Sequence, residues 1–229
     1  MIDNTPAETG PHESTPSAIA VEAARYALLR RLAPSMRHHL VVNLQPIGMI
    51  YEIMDRRLKA PNPDLGDVHE SAQKIYGFAR AALDACLNVV SWLAPDAQSR
   101  SAPSDGVSEC LGLLATSLTF RGYALRNEVQ PMPGEVRRSA IRNVLTAAIL
   151  HATDKTEAPA ELLIGAERTV SSLVITLTLR PTEGAGGFDT EDHYRRLEWA
   201  DVDALARSES VAAEHGGRQQ ITISIPWID

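Results

Sequence analysis

The 229-residue chain is 44% hydrophobic and 22% charged, enough for one large domain or two small ones and too apolar for a disordered chain. Its 22 Lys and Arg stand against 29 Asp and Glu, and the net charge of −7 argues against nucleic acid or anionic lipid as a partner. Two cysteines, Cys86 and Cys110, lie among apolar neighbours and give neither a disulfide framework nor a metal-ligand spacing, which fits a reducing cytoplasm. No signal-peptide pattern opens the chain. The longest mainly apolar stretch, residues 40–51, is interrupted by Asn43, Gln45 and Pro46, so no membrane segment is expected.

Residues 1–17 mix Pro, Thr, Ser, Glu and Gly without periodicity and read as a mobile tail outside the fold. From residue 18 to about 58 the apolar positions keep a helical period, a rod of roughly 60 Å that Pro34 can kink. Residues 60–66, with two prolines and a glycine, stop this helix, and Asp67 is the expected N-cap of a second one reaching about residue 93. Its predicted apolar stripe is Val68, Ala72, Ile75, Ala79, Ala82, Cys86, Val89 and Leu93. Two such helices joined by a turn make a helical hairpin over residues 18–94 with one apolar side of each helix uncovered. Pairing two hairpins into a dimeric four-helix bundle removes that exposure, so a homodimer is expected.

Residues 95–106, rich in Ser, Pro and Asp, read as a linker. Over residues 107–229 the pattern predicts helices at 107–118, 133–153 and 201–214, and strands at 123–129, 161–166, 171–179 and 219–226. A Gly-rich loop at 182–188 interrupts the series. The expected fold class is therefore α+β, a helical hairpin followed by an α/β sandwich with helices on one face of a mixed sheet.

The segment Met36-Arg-His-His-Leu-Val-Val-Asn-Leu-Gln-Pro-Ile47 carries the chemistry. With His38 at the origin of a helical wheel, Leu29, Leu32, Met36, Leu40, Ile47, Ile50, Met54 and Leu58 fall between roughly 120° and 200°. His38 points the other way, sharing the outer face with Arg31, Val42, Gln45, Met49 and Arg56, while His39 and Asn43 are expected at or inside the buried edge. An outward imidazole beside exposed Val41, Val42 and Met49 is an accessible nucleophile next to an apolar docking patch. The partner-binding candidates are Arg31, Val41, Val42, Gln45 and Met49. Pro46 removes one amide donor and frees the Val42 carbonyl, so a bend after the histidine is expected, one that could gate access to it.

This segment resembles the dimerisation and phosphoacceptor helix of sensor histidine kinases. Laid on His38 without a gap, the family pattern finds Leu40, Leu44, Ile47, Glu52 and Ile53 at its apolar or acidic places. It departs at His39, where the family has an acid, at Asn43, where it has Pro, and at Pro46, displaced by three residues. A second frame, His-x-x-x-Asn as in sporulation-type and LytS-like relatives, would select His39 with Asn43 as the alternative phosphoacceptor.

The resemblance continues to the C-terminus. Arg121-Gly-Tyr-Ala-Leu125 is similar to the strand opening the kinase ATP-binding domain, and residues 141–152 look like its N-box helix. Residues 212–226 look like its last helix, turn and strand. The kinase Asn that holds magnesium is replaced by Ala147, with Asn143 one turn earlier. The adenine-binding Asp segment is represented at best by Glu183-Gly-Ala-Gly-Gly187, and the second glycine box by Arg195-Arg-Leu-Glu-Trp-Ala200. A phosphoacceptor hairpin beside a sandwich stripped of nucleotide ligands resembles the ChpT-like histidine phosphotransferases. The resemblance implies transfer between response-regulator receiver domains, with no cofactor in this chain and Mg²⁺ on the partner receiver; a sensor kinase is a further possible partner. The alternatives are a non-catalytic scaffold that binds receivers or kinases and a divergent ATP-dependent histidine kinase. His12, His69, His151, His193 and His215 are read as surface or capping residues.

Overall fold

Ala18–Leu58 forms one helix of 41 residues, α1, in the computed structural model, which describes residues 17–184, 186–188, 194–216 and 219–228. Ser17 caps it, its hydroxyl accepting the Ala20 amide at 3.2 Å. The rest of the expected tail lies outside the described residues. Pro34 and Pro46 both sit inside α1, and the helical run continues through each of them. The second helix, α2 (Leu65–Leu93), begins ahead of the expected cap: the Asp64 carboxylate accepts the Gly66 amide at 2.8 Å, and Asp67 lies in the first turn.

The two helices pack as the predicted hairpin. The covered line on α2 is Val68, Ser71, Ile75, Phe78, Ala82, Ala85, Val89 and Trp92, while Ala72, Ala79, Cys86 and Leu93 of the expected stripe are exposed. The observed line keeps the 3.5-residue period of knobs-into-holes packing, and the predicted one drifts off it onto the outer side.

Residues 95–106 are more ordered than a linker. Arg100–Ser101 is a short strand, β1, antiparallel to β3 (Val136–Arg137). Helix α3 (Pro103–Phe120) starts inside the predicted linker because Pro103 occupies its first turn, where the missing amide costs nothing. The chain then runs through β2 (Tyr123–Asn127) and a helical segment made of α4 (Arg138–Ala140), a π-helical stretch (Ile141–Leu145) and α5 (Thr146–Lys155). It continues through β4 (Ala160–Arg168), β5 (Ser172–Pro181), α6 (Trp199–Ser208), β6 (Ala212–His215) and β7 (Gln220–Pro226). The last predicted helix is thus shorter than expected, and 212–215 is an edge strand: Ser210, at φ +57°, turns the chain back before β6 pairs with β7.

The five-stranded sheet has the order β2-β4-β5-β7-β6, with β2 parallel to β4 and every other pair antiparallel. Alternation places Leu162, Ile164, Ile175, Leu177, Ile221 and Ile223 on a fully buried face, with Glu161, Thr176, Thr178 and Thr222 half-buried on the other. The fold is the expected α+β arrangement of a helical N-terminal region and a mixed-sheet α/β sandwich.

The hairpin is fastened to this sandwich. The N-terminal part of α1 inserts Ala24, Leu28 and Leu32, each fully buried, against α3 and α6. Arg31 lies on that same side and is buried, not outward as the wheel predicted, because the sandwich covers the side of α1 that a free hairpin would leave in water. Its guanidinium makes a bidentate pair with Asp154 on α5, at 2.7 and 2.9 Å. Asp154 also accepts from Arg121 at 3.1 Å and from the Leu197 amide at 3.1 Å. A second fastening joins α2 to the π turn: buried Arg142 donates to the Ser91 carbonyl at 3.0 Å and to Asn88 at 3.2 Å, lies over the Trp92 ring at 4.8 Å, and pairs with Glu109 of α3.

Burial pushes the Asp154 carboxyl upward, but the hydrogen bond and charge of Arg31, the Leu197 amide and the Arg121 charge outweigh it and hold it below the ordinary value of 3.8. A depressed folded-state value contributes stability above the unfolded pKa and loses it as pH falls through the folded one. Asp154→Asn should therefore cost about 3–5 kcal/mol in urea unfolding at neutral pH, by removing the buried carboxylate that Arg31, Arg121 and the Leu197 amide share. The difference from the parent protein should shrink as the pH is taken below the ordinary aspartate range.

Candidate functional site

His38 and His39 follow Arg37 on α1 just past its last buried residue, Met36, where the helix emerges from between the sandwich helices. Both imidazoles are exposed, with ring centroids 6.3 Å apart. His39 was expected at the buried edge. It stays in solvent because α1 beyond Met36 is only partly covered, with Leu40 and Ile47 half-buried and the space beside His39 left open as clefts toward α3. Asn43 donates to the His39 backbone carbonyl at 2.9 Å, so the His-x-x-x-Asn spacing produces a side-chain-to-backbone contact and leaves the His39 ring untouched.

A cleft of about 400 Å³ opens beside the histidines. One wall is α1, through Pro34, Ser35, Arg37, His38 and His39; the other is the end of α3, through Thr116, Ser117 and Phe120, with Tyr194 from the segment before α6. Tyr194 stands against Arg30, whose guanidinium lies 5.7 Å from its ring. His39 also borders a second cavity of about 250 Å³ with Met36, Trp92 and Glu109. The α3 wall and Tyr194 carried no motif; they are assigned to the site by tertiary packing alone.

Of the remaining candidates, Val41, Val42, Gln45 and Met49 are exposed on α1, as expected, and continue the histidine surface toward the hairpin turn. Arg31 does not belong to it.

The sandwich positions aligned with nucleotide ligands are occupied otherwise. Ala147 is fully buried. The Asn143 amide donates to buried Glu209 at 2.8 Å, a carboxylate that also accepts the Ser139 hydroxyl at 2.7 Å. In the Gly-rich loop, a Cβ on Gly187 would come within 2.1 Å of the Arg121 carbonyl carbon, and the Phe188 amide donates to the Phe120 carbonyl at 2.9 Å. Gly187 permits close backbone packing against the 121–122 turn, with Gly122 itself at φ +87°. Ala185 lies outside the described residues. The Leu197 carbonyl is 2.8 Å from His151 Nδ1 and its amide donates to Asp154, so the chain before α6 is held down on α5.

His151 is buried, against its expected surface role, because it makes this contact and packs beside Trp199 and His215, at 5.7 and 5.5 Å between ring centroids. Burial, and then the neighbouring His151, lower the His215 pKa. His12 and His193 lie outside the described residues. Burial pushes the Cys110 thiol up to about 12, which makes it inert as a nucleophile. No group of three His, Cys, Asp or Glu suited to a metal ion occurs among the described residues, and none of their helices is long and apolar enough to cross a membrane.

Neither a protein-family model nor a curated protein matches the sequence. Among solved structures, the chain is similar to the histidine kinase AdeS of Acinetobacter baumannii, at 17% identity over 79% of this chain and 96% of that one, with a TM-score of 0.44. A histidine kinase from Burkholderia phymatum matches at 17% identity over 92% and 98% of the two chains, with a TM-score of 0.44. A bacterial phosphotransferase matches at 13% identity over 93% and 98%, with a TM-score of 0.40.

Proposed function

We propose that this protein is a histidine phosphotransferase that relays a phosphoryl group between response-regulator receiver domains, with His38 as phosphoacceptor and His39 as its alternative. The observation that carries the reading is the placement of an exposed imidazole at the mouth of a cleft, beside the exposed apolar side chains Val41, Val42 and Met49. Burying that apolar surface against a receiver supplies docking energy at about 25 cal/mol per Å² before the costs of association. Gln45 adds a polar contact at the same face.

In the proposed transfer, a lone pair of the neutral His38 ring attacks the phosphorus of a receiver's aspartyl phosphate. The P–N bond forms as the P–O bond to the aspartyl oxygen breaks, and the bonding pair stays with the released carboxylate. The second ring nitrogen keeps its hydrogen. A second receiver's carboxylate then attacks the phosphorus and displaces the ring nitrogen. The receivers would bring Mg²⁺ and the charge stabilisation. His39 stands where a kinase has the acid that activates its histidine, and transfer from an acyl phosphate places less demand on such a base. Against an ATP-dependent kinase stand the buried methyl of Ala147, the amide of Asn143 taken up by Glu209, and Gly187 taken up by backbone packing.

A homodimer belongs to the same proposal. On α2 the exposed Tyr76, Leu83, Leu87 and Val90 recur at heptad-like spacing, and α1 presents Leu44, Tyr51 and Leu58 seven residues apart, two apolar lines that a second hairpin would cover.

Incubated with phosphorylated receivers, the protein should take up acid-labile label, and His38→Ala should abolish it while receiver binding persists. Unchanged relay in His38→Ala, with loss only in His39→Ala, would move the assignment to His39, and a non-catalytic scaffold would tolerate both changes. Calorimetry with MgATP should show no binding at micromolar concentration. Light scattering at micromolar protein should give twice the chain mass, with Leu83→Asp combined with Leu87→Asp shifting it to the monomer.

A further inference from the structure

The cleft beside His38 is bordered by basic and hydroxyl-bearing residues. Arg37, His38 and His39 line it together with the hydroxyl-bearing residues Ser35, Thr116, Ser117 and Tyr194, and no acidic residue is among the described residues that line it. Arg37 is exposed, and no acid among the described residues pairs with it. Other arginines of α1 are engaged: Arg31 with Asp154, Arg57 with Asp67, and Arg30 between Tyr26 and Tyr194. Among the described residues no acid takes up the Arg37 guanidinium, at the position adjoining the histidine.

We infer that Arg37 is a phosphate-holding residue, whose guanidinium donates to the phosphoryl oxygens once the group is on His38, with Thr116 and Tyr194 of the cleft beside it. The inference rests on the relay reading proposed above and assigns this site its ligand, a phosphoryl group in P–N linkage. A phosphoryl group on His38 carries its charge on the peripheral oxygens, and a planar fork of N–H donors matches two of them at once. The cation acts in both directions: it draws the incoming phosphoryl toward the ring, and it slows the loss of that group to water between the two receivers.

The test needs no receiver. Phosphoramidate transfers its phosphoryl group to imidazole, the P–N bond to the ammonia nitrogen breaking as the bond to the ring nitrogen forms, and ammonia leaves with the bonding pair. The full chain, Arg37→Ala, Arg37→Lys, His38→Ala, His39→Ala and, as a control on an exposed arginine of the same helix, Arg56→Ala are each treated with phosphoramidate. Labelling rate, lifetime after donor removal and the ³¹P chemical shift of the phosphohistidine are then recorded. Arg37→Ala should slow labelling and shorten the lifetime by roughly tenfold and move the ³¹P resonance, Arg37→Lys should recover part of each, and Arg56→Ala should match the parent. Normal labelling of His38 with Arg37→Ala indistinguishable from Arg56→Ala would overturn the role of Arg37 and leave the relay reading intact. Label that persists in His38→Ala and disappears in His39→Ala would overturn both the inference and the choice of His38. A parent protein that takes no label from phosphoramidate or from phosphorylated receivers would overturn the relay itself.

Discussion

One carboxylate holds this molecule together. Asp154, at the end of α5, accepts from Arg31 of the hairpin, from Arg121 at the start of the sandwich, and from the Leu197 amide that leads into α6. The pair it forms with Arg31 is almost fully shielded from water, with side-chain exposures of 1% and 2%. Desolvating two ions is repaid only when the geometry is good and the remaining lone pairs are satisfied, and here the bidentate guanidinium, a second arginine and a backbone amide satisfy them. Such a pair contributes less net stability than orientation, because the bidentate geometry is met at one angle between hairpin and sandwich. Arg142, reaching from the π turn to α2 and Glu109, fixes the hairpin's other arm in the same way.

The cleft at His38 follows from this fastening. Its far wall is not part of the histidine's helix; it is the end of α3 together with Tyr194, and both are kept beside α1 by the packing of Leu28, Leu32 and Arg31. A single helix thereby lives in two environments. Up to Met36 it is a core element covered on several sides, and beyond it α1 is a half-covered arm that carries two exposed histidines and an apolar patch. The proposed chemistry sits at the boundary, where the backbone is rigid and the side chains are free, which is the combination a phosphoryl acceptor needs.

In the sandwich, buried polar groups and a close-packed glycine tie the fold together. Glu209 ties Asn143 and Ser139, and Gly187 lets two backbone segments touch. The neighbouring π turn sends Arg142 and Asn143, adjacent in the chain, into two different buried networks, one toward the hairpin and one toward α6.

The amino-acid sequence by itself determined the element types. The 3.6-residue period fixed α1 to its observed ends, the strands expected at 171–179 and 219–226 are found at Ser172–Pro181 and Gln220–Pro226, and the exposure of His38, Val42 and Met49 was readable on a wheel. The ordering of residues 95–106, the strand at Ala212–His215, the exposure of His39 and the burial of Arg31 were decided only by tertiary structure. A wheel reports the angle of a side chain around its own axis. It contains nothing about how far along that axis a second neighbour extends, and the neighbour of Arg31 lies 123 residues away in sequence. The same arginine, solvated in a free hairpin, becomes the buried partner of Asp154 because the sandwich folds back onto the helix that precedes it.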